Sequence, residues 1–224
     1  MSADVVKNVI CSSPAIGSLL AGMLKYEGID STVVEDVDEA TAALGAADLL
    51  MLDTVVPALS AEGRAALMAH LRGGGGIVAL PGALLSFPDW EDWDRVVGVG
   101  SRAPHPGPGE ASPVKVSVRT GEHIITAGLG GFEVVASPYL LEGNGPGSEV
   151  LATVAGADGD VPVLWAREVE GGRIVCDALG HDERSLSHPA HRIMLCRAAR
   201  WVLSMSFERE WEEPEEPDEA EEEP

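Results

Sequence analysis

Three short apolar runs, Val5–Cys11, Ala47–Asp53 and Gly76–Leu80, recur between segments whose apolar residues are spaced for helices. That alternation leaves the chain few folds to choose from. A short strand that is apolar on both faces must be covered on both faces, and the usual solution is a parallel sheet with helices on each side. The connecting segments fit. Ile16, Leu19, Leu20, Met23 and Leu24 form a helical stripe over Ala15–Tyr26, with Ser12 or Ser13 as cap, Pro14 in the first turn and Gly28 as terminator. Ser31–Glu35 reads as a second strand and Asp38–Leu44 as a short helix. Ser60 opens a helix that runs to Leu71, where Gly73–Gly76 end it and lead into the strand Gly76–Leu80. Pro81-Gly82 then turns the chain. These elements are the opening of a doubly wound α/β sheet with right-handed crossovers.

The period changes in the second half. A short helix over Phe87–Gly98 carries Trp90 and Trp93, and a Gly/Pro-rich loop follows. Five strand-like runs come next: Val114–Arg119, Phe132–Ser137, Glu149–Val154, Val161–Glu168 and Arg173–Ala178, the last two joined by a hairpin turn at Glu170–Arg173. They read as antiparallel strands added to the parallel core. A last helix, from about Pro189 to Met205, should pack back on the sheet.

Charge and composition narrow the partners. The formal net charge is -22, of which the segment Glu208–Pro224 supplies -10 with eleven acidic residues against one arginine. This segment is too poor in apolar residues to build a core, so residues 1–207 are expected to form one domain and 208–224 a disordered acidic tail. An acidic body and an acidic tail argue against nucleic acid and against an anionic membrane surface, both of which require a positive footprint. The sequence shows neither a leader nor a long apolar span, so the expected location is the cytoplasm. Cys11, Cys176 and Cys196 have no metal-like spacing and read as structural thiols. Self-association through strand edges, as in a homodimer, is left open by the sequence.

In an open α/β sheet, ligands sit at the carboxyl ends of the strands. Those ends supply Ser12, Asp53 and Pro81, and the run Cys176–Asp182 places His181 and Asp182 where the last sheet strand meets its loop. A histidine there can act as general base, metal ligand or hydrogen-bond donor, and a neighbouring carboxylate can fix its tautomer. His105 and His123, also in loops, would have to converge on His181. Three imidazoles would suit Zn²⁺, but the spacing carries no metal motif and no cofactor is assigned. Trp90 reads either as a sugar-stacking wall or as core, and Asp53 either as a ligand group or as a loop cap. His188 and His191 read as capping or surface residues and His70 as a helix-end histidine. No phosphate-binding glycine loop follows a strand.

Taken together, Gly74–Leu80, the Trp-rich helix ending at Gly98, His105-Pro106, Glu122–Thr126, Tyr139-Leu140, Val163–Arg167, Gly172–Val175, Gly180–Asp182 and the final helix with Arg200-Trp201 resemble the trehalose-utilisation, or ThuA-like, family. The resemblance covers about Val5 to Leu203. It implies a three-layer, flavodoxin-like fold of the class I glutamine amidotransferase type, a mostly parallel sheet with added antiparallel strands, and a carbohydrate-related role. It also implies a histidine cluster above the sheet, onto which His105, His123 and His181 fall as catalytic candidates, with Asp182 as orienter and Tyr139, Trp90, Asp53, Ser12 and Pro81 as substrate-binding candidates. Two departures matter. The family's histidine after the central strand is Pro81 here, and its glutamate before Tyr139 is missing from Ser137-Pro138-Tyr139. Pro81, Gly82 and Ala83 also lack the nucleophilic thiol of the amidotransferases, so glutaminase activity is not expected. The function read from the sequence is carbohydrate binding or processing at the strand carboxyl ends. The alternatives are a non-catalytic scaffold with a degenerate site and a metal-dependent hydrolase using His105, His123 and His181.

Overall fold

The computed structural model describes residues 6–99, 111–119, 123–138, 145–157, 159–180 and 182–205. His105, Tyr139, His181 and the acidic tail lie outside them. In chain order the elements are β1 (Val6–Cys11), α1 (Pro14–Lys25), β2 (Ile29–Val34), α2 (Val37–Ala42), β3 (Leu49–Leu52), α3 (Ala61–Arg72), β4 (Gly76–Ala79), α4 (Pro81–Leu85) and α5 (Glu91–Val97). There follow β5 (Ser112–Val118), β6 (Phe132–Ala136), β7 (Glu149–Gly156), β8 (Gly159–Val169), β9 (Gly172–Asp177), α6 (Glu183–Leu186) and α7 (Pro189–Val202).

All of these strands join one sheet in the order β2-β1-β3-β4-β9-β8-β7-β5-β6. The first five in that order are parallel, and β8, β7, β5 and β6 extend them antiparallel. The chain therefore leaves the parallel core after β4, builds the extension, and returns through the β8–β9 hairpin to lie beside β4. Ala79 pairs with Cys176, so the carboxyl ends of β4 and β9 are neighbours.

Side-chain alternation along each strand builds a separate core on each face. Ile10, Leu49, Met51, Val78 and Val175 face α1 and α7, meeting Leu20, Leu24, Met194 and Leu195. Val9, Leu50, Leu52, Ile77, Ala79 and Ile174 face the opposite way, against Leu67 and Leu71 of α3 and the cluster Phe87, Trp90 and Trp93 around α5. The architecture is the three-layer α/β sheet expected from the apolar runs. α4 and α6 are additions, since both segments read as turns.

Local chemistry sets the boundaries. The Ser60 hydroxyl accepts from the Gly63 amide at 2.9 Å and caps α3. Where α3 hands over to β4, His70 donates through Nε2 to the Gly76 carbonyl at 3.1 Å. Burial lowers the pKa of His70, which keeps it neutral in that role. At the β8–β9 hairpin Glu170 and Gly171 both take positive φ, 55° and 95°, as a tight two-residue turn requires.

Candidate functional site

The carboxyl ends of β1, β3, β4 and β9 lie side by side and carry Ser12, Asp53, Pro81 and Ala178. The first two strands stay zipped up to the site, because the Asp53 amide donates to the Cys11 carbonyl at 2.8 Å and the Ser12 amide to the Val34 carbonyl at 3.1 Å. The Ser12 side chain has a different status. It is 2% exposed, and its Oγ finds no hydrogen-bond partner among the described residues. An unsatisfied buried hydroxyl costs about 1–3 kcal/mol, so its retention at a strand carboxyl end points to a partner supplied from outside.

Asp53 is half-buried, and its Oδ1 accepts from the Gly82 amide at 3.3 Å, tying the end of β3 to the elbow after β4. That elbow is tight. A Cβ on Gly82 would come within 2.8 Å of the Thr54 amide nitrogen, so only glycine lets the two strand ends approach this closely. Pro81 sits buried at the first position of α4 and brings no donor, acid or nucleophile. The nearby Cys11 thiol does not compensate. Burial, helped by Asp36, Asp53 and Glu39, raises its pKa to about 11, far from a reactive thiolate.

Beyond β9 the chain is locked by a buried polar relay that the sequence pattern did not suggest. His191 was expected at the surface or as a cap. It is instead fully buried in the first turn of α7, with Nε2 2.6 Å from Asp177 Oδ2 and Nδ1 2.9 Å from the Ser185 carbonyl and 3.1 Å from the Ser185 hydroxyl. Asp177 Oδ1 accepts from the Leu179 amide at 2.8 Å. Burial pushes the His191 pKa down, but the Asp177 charge, the hydrogen bond to it and the Ser185 carbonyl outweigh burial and raise it above the ordinary value. Both ring nitrogens face acceptors, the arrangement an imidazolium satisfies best. The relay fixes the two ends of the connection between β9 and α7. Asp182 is committed within the same connection: its Oδ1 caps α6 by accepting from the Ser185 amide at 2.9 Å, and its Oδ2 pairs with Arg184 at 2.8 Å. It is therefore a cap, whereas the sequence pattern made it the orienter of His181.

The other candidates separate. His123 does not join the strand carboxyl ends. Its ring meets Trp201 at 5.1 Å, ten residues along α7 from His191, a distance of about 15 Å on a helix. Its Nδ1 accepts from the Ile125 amide at 3.2 Å, closing the turn after β5, and burial lowers its pKa. The three-histidine convergence thus loses His123, and the described residues contain no metal-like cluster of His, Cys, Asp or Glu. Trp90 is core rather than wall. It is 6% exposed, stacked on Trp93 at 6.2 Å, edge-on to Phe87, and covered by the Arg64 guanidinium. His188 begins α7 without capping it and stacks on Phe132 at 4.8 Å.

The ThuA family model, described as trehalose utilisation, matches residues 8–202. The chain belongs to the ThuA family. Among solved structures, a ThuA-like protein from Parabacteroides merdae superposes with a TM-score of 0.75 at 18% identity, covering 91% of this chain and 92% of its own. A ThuA-like protein from Bacteroides uniformis gives a TM-score of 0.72 at 19% identity over 90% and 93%. A GMP synthase subunit from Thermoplasma acidophilum gives 0.61 at 15% identity over 90% and 96%, which places the ThuA fold beside that of the amidotransferases. None of the curated proteins compared with the sequence matches it. No helix among the described residues is long and apolar enough to cross a membrane.

Proposed function

We propose that this ThuA-family chain binds a small carbohydrate at the carboxyl ends of its parallel strands and holds it without turning it over. The observation that carries this reading is the buried, unpartnered Ser12 hydroxyl. A hydroxyl that both donates and accepts, next to the half-buried Asp53 carboxylate, matches the alternating donors and acceptors of a sugar. The family description, trehalose utilisation, supports the ligand class. Binding rather than catalysis follows from what the elbow holds: Pro81, Gly82 and Ala83 supply neither nucleophile nor acid, and Cys11 is held as a thiol.

Isothermal titration of the full chain with trehalose, its component glucose and unrelated sugars tests the proposal. Saturable binding that Ser12→Ala weakens by roughly tenfold, the factor for about 1.4 kcal/mol, supports it. Equal binding by wild type and Ser12→Ala places the sugar elsewhere. Release of product from a bound disaccharide contradicts the non-catalytic half of the reading.

A further inference from the structure

On the α1/α7 side of the molecule an open groove of about 840 Å³ runs between the end of α1 and the length of α7. Three of the five exposed large apolar side chains among the described residues line it: Tyr26 at 80%, Ile124 at 40% and Ile193 at 40%. Exposed apolar groups gathered in one place mark an interaction surface more than the same groups scattered. The groove is also basic. Arg192, Arg197 and Arg200 line it against a single acid, Glu27, in a chain with 37 acidic and only 15 basic residues. Arg200 pairs with Glu27 at 3.2 Å and Arg197 holds the Ala127 carbonyl at 2.6 Å, so both guanidiniums are fixed in the wall, while Arg192 is exposed at the rim.

We propose that the occupant is the chain's own acidic segment, Glu208–Pro224, folded back along α7 with Trp211 between Ile124 and Ile193. Charge complementarity carries the assignment, with eleven acidic residues and one arginine in the segment facing three arginines and one glutamate in the groove. The apolar part matches as well, since Trp211 is the one aromatic residue of the segment. Reach permits it. Trp211 follows Met205 by six residues, at most about 20 Å of extended chain, and Ile193 precedes Met205 by twelve, about 18 Å at helical rise. On that path Glu208 and Glu210 pass Arg200 and Arg197, and Glu212 and Glu213 meet Arg192. Tyr26 is then covered from the α1 side.

The test is photo-cross-linking in the full-length chain with Trp211 replaced by p-benzoylphenylalanine. The expected products are cross-links within one chain to the peptides around Met23–Glu27, Ile124 or Pro189–Arg200. Their yield should fall roughly tenfold in Arg192→Glu, which sets like charges against each other, and should also fall in 1 M salt, where the screening length is about 3 Å. Arg192 is exposed, and an unchanged circular-dichroism melt shows that the variant is folded. Cross-links joining two chains would make a second copy the occupant and overturn the proposal. Cross-links elsewhere on the body, or a yield indifferent to Arg192→Glu, would overturn it too.

Discussion

Asp177 and His191 meet at 2.6 Å with both side chains sealed from solvent, fastening the last residue of β9 to the first turn of α7. The connection between them, with Asp182 and α6, is a closed loop whose ends cannot drift apart while this bond holds. The relay is an internal device for holding that loop beside the strand carboxyl ends, and neither residue reaches solvent.

Removing one partner leaves the other polar and buried. His191→Leu is expected to cost about 3–5 kcal/mol, and Asp177→Leu a similar amount, whereas the double variant should recover much of the loss because neither charge is then stranded. Urea denaturation read by fluorescence measures all three. Additive losses in the double variant would show that the two residues do not act as a pair.

The same bond gives stability a pH dependence. His191 has its pKa raised in the folded state, so its contribution is complete below the unfolded value of about 6.5 and is lost as pH rises through the folded value. His70 and His123, lowered by burial, act oppositely: they cost stability as pH falls below about 6.5. Comparing wild type with His191→Leu isolates the first effect. The stability difference between them should shrink as pH rises into the alkaline range, measured as urea midpoints at several pH values.

Much of the fold was legible because the apolar runs are short, uninterrupted and separated by helical stripes, which leaves a covered parallel sheet as the consistent answer. The Ser60 cap and the Glu170-Gly171 turn were legible for the same kind of reason: local chemistry decides them. α4 and α6 were not, since five and four residues give no periodicity to read. His191 was missed although a signal existed. It shares a helical stripe with Met194, Leu195 and Ala198, and Asp177 interrupts the apolar run from Ile174 to Leu179. Two polar residues, each lodged in an apolar stripe, are candidates for each other. Ser12 was selected by its position at a strand end, and the structure added that its hydroxyl lacks a partner among the described residues. His123 was misplaced because sequence order does not reveal that the turn after β5 falls beside Trp201.

Trp90 separates a core role from a ligand-stacking role. With Trp93 on one face and Arg64 on the other, Trp90→Ala should destabilise by about 3–5 kcal/mol and leave the sugar affinity of the folded fraction unchanged. A variant of near wild-type stability with lost sugar binding would restore the wall reading.

The most direct measurement of the central claim is thermal unfolding of wild type and Ser12→Ala with and without sugar. A partner-seeking buried hydroxyl is a liability in the free protein, so Ser12→Ala alone should be neutral or more stable, by up to about 1–3 kcal/mol. Wild type with trehalose or glucose at about a hundred times its Kd should gain about 2.7 kcal/mol, or roughly 5–10 °C in Tm for a domain of this size. Ser12→Ala should lose most of that gain. A Tm that no sugar moves, or a sugar-induced rise that survives Ser12→Ala intact, would contradict a carbohydrate site at the strand carboxyl ends.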